Sequence, residues 1–272
     1  MRLGFIGTGA MTSAIVKGLR EAGPSDTGIF LYDVNTHAAE QLAAVTDSAT
    51  VDEPTDLLAK CDLIVLGVKP HVQSSVLRQL APHVTADACP ALLSIAAGRT
   101  LAAIRSDLAE AQPQPHLIRV MPNVNAQIGL SMSAVAYSDG TPAEVQEQAR
   151  TLLEAVGLVM DLPEQLFSAY SALAGCSPAW FFQIVDSLAQ AGVKYGLSKA
   201  QALTAVTQSM VGSARLLQLS AEEGVNPSAL IDRVCSPGGT TVAGLLAAQE
   251  AGLSPALVKA VDAAVARDLE LG

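Results

Sequence analysis

The chain has 272 residues, 50% of them hydrophobic, and a formal net charge of -10. That length and apolar share suit one large domain or two smaller ones around a sizeable core. The acid excess, with no run of Lys or Arg, excludes nucleic acid and anionic membrane as partners, because both demand a basic surface.

The run LGFI (3–6) predicts a first strand. It leads into Gly7-Thr8-Gly9 and then a helix from Met11 to Ala22 with apolar residues at 11, 14, 15, 16 and 19. Gly23-Pro24 predicts the stop of that helix. A strand, a glycine turn and a helix start together form an anion cradle. The first glycine permits a tight turn, and the second lets a pyrophosphate approach the backbone N–H groups. The full fingerprint has Gly or Ala at position 12, where this chain has Thr12.

GIFLYD (28–33) is the second predicted strand and ends at Asp33. An acid there can accept hydrogen bonds from adenosine ribose hydroxyls and would repel a 2′-phosphate. No Arg or Lys follows between 34 and 41, so the residue chemistry leans to NADH; a plain strand-end cap is the other reading of Asp33. A helix over Thr36 to Val45 comes next. DLIVLGV (62–68) is apolar throughout, as a strand buried on both faces should be. ALLSIAA (91–97) and HLIRVM (116–121) are further strands separated by helical segments. This alternation predicts an α/β fold, an N-terminal Rossmann-type doubly wound parallel sheet.

From about Pro163 the strand-like runs end and Ala- and Leu-rich helical patterns take over. These helices are too apolar to be solvated on all sides, so one another or a second subunit must cover them. Two domains are expected, residues 1–162 and 163–272. The four cysteines, Cys61, Cys89, Cys176 and Cys235, are far apart in sequence. They read as reduced, mostly buried thiols, with no structural metal and no disulfide framework. The histidines do not cluster, and surface placement is expected for them. The first apolar stretch is too short for a signal peptide and no apolar run reaches membrane-spanning length, so a cytoplasmic protein is expected.

Three motifs follow predicted strands: GVKP (67–70), SIAAG (94–98) and RVMPN (119–123). All would lie at the carboxyl edge of the sheet, where open α/β sheets bind ligands. In the helical half lie GCSPAW (175–180), AGVKYGL (191–197) and SPGGTT (236–241). Together, and in this order over nearly the whole chain, these motifs resemble the pyrroline-5-carboxylate reductase family. Those enzymes make proline by reducing a cyclic imine with NADPH or NADH.

The resemblance implies a Rossmann domain followed by a helical dimerisation domain, in a homodimer or an assembly of dimers. It implies cofactor contacts at Ile6, Gly7, Thr8, Gly9, Ala10 and Met11, at Gly67, Val68, Lys69 and Pro70, and at Ala96, Ala97 and Gly98. It implies that Ser236, Gly238, Gly239 and Thr240 hold the carboxylate of a small cyclic imine. Thr241 would then point its hydroxyl at the imine nitrogen. The residue chemistry agrees, since two glycines and adjacent hydroxyls before a helix make a small-carboxylate nest; the other reading of SPGGTT is a helix N-cap with Pro in the turn.

The family usually has GSGPAY and MPNTP where this chain has GCSPAW and MPNVN, and QT where it has Gln208-Ser209. A reductase for another cyclic imine therefore stays open. A β-hydroxyacid-type dehydrogenase fits less well, because the glycine-rich run leading to Lys and Asn is absent around Lys194. A dinucleotide-binding dimer without turnover would have no use for the SPGGTT loop.

Overall fold

The computed structural model describes residues 1–22 and 26–271, so the expected helix stop at Gly23-Pro24 lies outside the described residues. The chain forms two compact units, one of Met1–Cys176 with Ala264–Gly272 and one of Ser177–Ala263. The last strand ends at Asp161, next to the expected division at 162, while the first unit runs on to Cys176.

In the first unit, strands β1 (Arg2–Ile6), β2 (Gly28–Tyr32), β3 (Ala49–Thr50), β4 (Leu63–Leu66), β5 (Ala91–Ser94), β6 (Leu117–Met121), β7 (Ser131–Tyr137) and β8 (Gly157–Asp161) form one eight-stranded sheet. Its order is β3-β2-β1-β4-β5-β6-β7-β8. Between the strands run helices α1 (Ala10–Ala22), α2 (Thr36–Thr46), α3 (Asp56–Lys60), α4 (Pro70–Leu80), α5 (Leu101–Asp107) and α6 (Ala143–Glu154). All strand pairs are parallel except β6 with β7. The link over residues 122–130 is too short for a parallel crossover, so the chain turns back on itself there. The five expected strands run parallel, as the alternation predicts, and the antiparallel junction comes with β7, outside that set.

Alternate residues of the central strands feed two cores. Leu3, Phe5, Leu63, Val65 and Leu93 join Ile15, Leu19, Leu42 and Leu152 from α1, α2 and α6. Ile6, Ile64, Leu66 and Leu92 join Leu57, Leu77 and Ile104 from α3, α4 and α5. Period-two alternation with both faces apolar is what a sheet sandwiched between two helix layers requires. Strands β3, β7 and β8 were not expected. β3 is only a pair of residues. β7 (SMSAVAY) is built on small residues, and β8 is an edge strand with Leu158 and Met160 exposed.

After β8 come a single helical turn α7 (Phe167–Tyr170) and a π-helical turn over Ser171–Cys176. The second unit is helical: α8 (Ser177–Lys194), α9 (Lys199–Glu222), α10 (Pro227–Val234), α11 (Thr240–Glu250) and α12 (Leu253–Leu271), whose last turns count with the first unit. Ser198 and Gln201 form a reciprocal capping box at the start of α9. α8 and α9 pack closely through small side chains, and a Cβ on Gly192 would sit 2.9 Å from Ala202 Cβ. Among the described residues, Pro178, Ala189 and Ala202 are the buried apolar side chains of this unit, while Phe181, Phe182, Leu188, Val211 and Leu246 stand exposed. No single described helix is long and apolar enough to cross a membrane; α11 and α12 reach that measure only as a pair bent by 49°.

The packing of α1 depends on Gly18. A Cβ there would press on Val156 Cγ1 and lie 2.9 Å from the Ala155 carbonyl oxygen. Neither neighbour is the far end of a flexible side chain. Gly18→Ala is expected to lower stability by about 1–3 kcal/mol, despite the helix-propensity gain of about 1 kcal/mol. Thermal unfolding tests this, and an unchanged or higher melting temperature would show that the α1–α6 layer can give way.

Candidate active site

The carboxyl ends of β1, β2, β4 and β5 bring most of the expected cofactor residues to one edge of the first unit. Gly7 has φ +93, a conformation that side chains disfavour, and its N–H donates to the Tyr32 carbonyl at 2.8 Å. A Cβ on Gly7 would lie 2.9 Å from the Gly67 carbonyl carbon. A Cβ on Gly67 would in turn lie 2.9 Å from the Gly7 oxygen and collide with Thr12 Oγ1. The β1–α1 and β4–α4 turns therefore touch through bare backbone. Thr12 is buried, its hydroxyl has no hydrogen-bond partner, and its bulk is accommodated by Gly67.

A Cβ on Gly9 would meet nothing within 4 Å, so the space before α1 is open. Among the described residues the N–H groups of Ala10, Met11 and Thr12 meet no acceptor, and the first helical bond runs from Ser13 N–H to the Gly9 carbonyl at 2.9 Å. Free donors, the positive end of the helix and open space fit a pyrophosphate.

Asp33 lies at the end of β2, where its carboxylate accepts from the Thr8 N–H at 2.7 Å, the Thr8 hydroxyl at 3.0 Å and the Asn35 N–H at 2.9 Å. It thus ties the glycine turn to the start of α2. Lys69 is exposed and precedes Pro70, the first residue of α4; Val68 leans toward Gly7. Ala96 is buried, Ala97 exposed, and Gly98 has φ +74.

A polar network that the sequence reading missed lies beneath the Ala96–Gly98 turn. Gln73 Nε2 donates to Ser94 Oγ at 2.7 Å, and Arg99 Nε donates to Gln73 Oε1 at 3.3 Å. Arg99 also pairs with Asp107, which Arg78 reaches at 2.9 Å. The available signal was Gln73 itself: it occupies the apolar stripe of α4 shared with Leu77 and Leu80. Burial pushes the Asp107 carboxyl up, but hydrogen bonds from Ser74, Arg99 and Arg78 outweigh it and hold the group below its ordinary value.

Asn123 of the RVMPN motif uses both halves of its carboxamide. Its Oδ1 accepts from the Asn125 N–H at 3.1 Å, and its Nδ2 donates to the Ala174 carbonyl at 3.1 Å. Pro178 has no N–H with which to serve that carbonyl in α-helical fashion, and the chain takes its π turn there. The other motif partner is Arg119, buried on β6, which pairs with Glu164 at 3.0 Å and stacks 4.6 Å from the Phe167 ring centre.

The SPGGTT segment belongs to the second unit. Ser236–Gly239 is a tight turn closed by the Gly239 N–H on the Ser236 carbonyl at 3.0 Å, with Pro237 second and Gly238 third at φ +68. This is the residue pattern of a type II turn. A Cβ on Gly239 would collide with Ser236 Oγ. Gly239 caps α11 without any side-chain bond, and Thr240 and Thr241, both exposed, form its first turn. The N–H of Gly239 is thus spent on the turn, and the open donors come from the helix start.

Among the described residues, no three His, Cys, Asp or Glu side chains gather in a way that could hold a metal ion. All four cysteines are free, and burial pushes the Cys61 thiol up to about 12. Only Cys61 is buried, which corrects the expectation that most of them are.

A doubly wound sheet with an open glycine turn at its carboxyl edge is the fold of the Rossmann class, which carries many dinucleotide-dependent oxidoreductases. Residues 2–98 match the family model for NADP oxidoreductase, coenzyme F420-dependent, and residues 164–271 match that for pyrroline-5-carboxylate reductase dimerisation. The chain is 33% identical to the pyrroline-5-carboxylate reductase of Methanosarcina acetivorans over 100% of this chain and 98% of the relative. It is 33% identical to the Pisum sativum enzyme of the same name, over 99% and 95%. Among solved structures, 1-pyrroline-5-carboxylate reductase from Streptococcus pyogenes superposes with a TM-score of 0.87 at 33% identity, covering 99% of this chain and 98% of that one. The Plasmodium falciparum pyrroline carboxylate reductase with NADP bound gives 0.84 at 25% identity, covering 100% and 98%. The chain belongs to the pyrroline-5-carboxylate reductase family.

The Asp107 carboxyl has a folded-state pKa below its ordinary 3.8, so its contribution to stability is present above that value and is lost as pH falls through the folded-state value. Asp107→Asn is expected to melt at lower temperature than the wild type at neutral pH, with the gap closing on acidification below 3.8. A gap that stayed constant across that range would show that the carboxylate charge is not what matters.

Proposed function

We propose that this chain reduces 1-pyrroline-5-carboxylate to L-proline with a reduced nicotinamide cofactor, as a homodimer or an assembly of dimers in the cytoplasm. Residues 1–162 would carry the cofactor and residues 163–272 the substrate loop and the dimer contacts. The observation that carries the reading is the Ser236–Gly239 turn, which delivers a hydroxyl and two glycines directly to the uncapped start of α11. Its fit to a small carboxylate joins the full-length similarity to relatives named for this reaction.

The bound cofactor supplies the hydride that is added at the imine carbon. The chain's own residues do the rest by binding and orientation. The open space over Gly9 and the free N–H groups of Ala10 and Met11 take the pyrophosphate. Gly67 to Pro70 and Ala96 to Gly98 shape the same edge of the sheet. In the turn, the Ser236 hydroxyl and the N–H groups that open α11 hold the substrate carboxylate, and Gly238 and Gly239 permit close backbone approach. The Thr241 hydroxyl aligns the imine nitrogen. A protonated imine is already electrophilic, so no strong side-chain acid is needed.

The chain's chemistry favours NADH. Asp33 keeps lone-pair capacity beyond its three intrachain donors, and its charge opposes a 2′-phosphate. The NADP in the Plasmodium falciparum structure belongs to a relative, and the preference of this chain rests on Asp33.

Cofactor oxidation followed with the five-membered imine and with its six-membered homologue tests the substrate. Fast turnover of the five-membered ring is expected; silence with it, alongside tight cofactor binding, would overturn the reading. Thr241→Ala is expected to lower kcat roughly tenfold or more, as loss of one transition-state hydrogen bond does, with cofactor affinity nearly unchanged. An unaltered kcat would remove Thr241 from its role. Asp33→Ser is expected to weaken both cofactors, because the tie to Thr8 is lost, and to shift the preference ratio toward NADPH. An unchanged ratio would show that Asp33 acts only as a tie.

A further inference from the structure

We infer that Gln73 is a positioning residue for the cofactor, its one buried carboxamide clamping both ends of the Ile95–Gly98 turn from within the helix that opens with Pro70. This rests on the reading of Ala96 to Gly98 as cofactor contacts.

Gln73 is 0% exposed and takes the position of an apolar residue on α4. A buried carboxamide costs stability unless both halves are bonded. Here both are, and to groups on opposite sides of one turn. Ser94 ends β5 just before the turn, and Arg99 follows it directly. Arg99 Nε is a donor only, so the Gln73 oxygen must face it and the Gln73 nitrogen must face Ser94. Ser94 Oγ, held in this way, accepts the Ala96 N–H at 3.3 Å inside the turn. Arg99 is fixed on its other side by Asp107, itself paired with Arg78 at the end of α4.

The remaining backbone tie at the start of the turn is long, Ile95 N–H to the Leu66 carbonyl at 3.5 Å. The turn's geometry therefore depends on side chains. Because Gln73 lies in the first turns of α4, it couples the Gly67–Pro70 segment to the Ala96–Gly98 segment. The two stretches read as cofactor contacts follow paired strands, and beyond the end of that pairing this amide bridges them.

The test compares Gln73→Leu, Ser94→Ala, their double variant, Gln73→Glu and, as a packing control, Ile104→Val from the same core. Each is measured for NADH and NADPH Kd by fluorescence titration, for cofactor KM, imine KM and kcat, and for Tm. Gln73→Leu and Ser94→Ala are each expected to raise the Kd of the preferred cofactor about tenfold, about the loss of one well-placed buried hydrogen bond. Imine KM should stay within about twofold. The double variant should be no weaker than the weaker single, since both break one chain. Gln73→Glu, which keeps oxygens for Arg99 and for the Ser94 hydroxyl, should restore most of the affinity. Ile104→Val should lower Tm and leave Kd unchanged.

A fall in Tm for Gln73→Leu with unaltered cofactor Kd would overturn the inference and make Gln73 a packing residue, as would additive effects of the two single variants. If Gln73→Leu does not fold, Ser94→Ala alone decides by the same criterion. Absence of cofactor binding by the wild-type protein would overturn the cofactor reading itself, and the inference with it; binding without imine turnover would overturn only the proposed substrate.

Discussion

Everything at the carboxyl edge of the sheet depends on two turns meeting through bare backbone. Gly7 and Gly67 approach so closely that neither can carry a Cβ, and Thr12 closes over Gly67 from α1. The contact sets the spacing of β1 and β4 at their ends, where parallel strands otherwise splay into loops. It also sets the direction in which α1 leaves the sheet, and with it the direction of the free N–H groups at that helix start. A dispersed set of weak interactions could hold such a loop on average, but steric exclusion on both sides holds it to one position.

Polar ties extend that position outward on either side. Asp33 carries it from the glycine turn to β2 and the start of α2. Gln73 and Ser94 carry it from α4 to the turn after β5. Asn123 carries the end of β6 to the Ala174 carbonyl in the π turn. Each tie is a side chain hydrogen-bonded to backbone or to another side chain. A binding surface assembled from loops gains order in this way without additional secondary structure.

Much of this was legible in the sequence. The apolar runs at 3–6, 28–33, 62–68, 91–97 and 116–121 all became strands, because burial on both faces leaves a continuous apolar signature. The glycine turn, GVKP and SIAAG motifs reached one edge because the topology sends every parallel strand's end there. β7 and β8 escaped notice for opposite reasons. β7 is built on Ser and Ala, whose small side chains carry little pattern, and β8 exposes Leu158 and Met160 at the sheet margin. At the fingerprint's third position Thr12 packs against Gly67, and a second close contact of α1 falls on Gly18, against Ala155 and Val156. Gln73 could be seen as a polar residue in an apolar stripe, but its partners on β5 and beyond it are distant in sequence, and only the fold brings them together. Asp33 was legible as a residue at a strand end; that its carboxylate serves Thr8 and Asn35 is a matter of geometry that spacing alone does not carry.

The helical unit has a different consequence. Among the described residues its buried apolar side chains are Pro178, Ala189 and Ala202, while Phe181, Phe182, Leu188, Val211 and Leu246 face outward in a single chain. This half matches a dimerisation family and presents the kind of apolar surface that a second copy covers. Where association covers such side chains, mass action enters the folding equilibrium, and dilution acts on this half as a denaturant does.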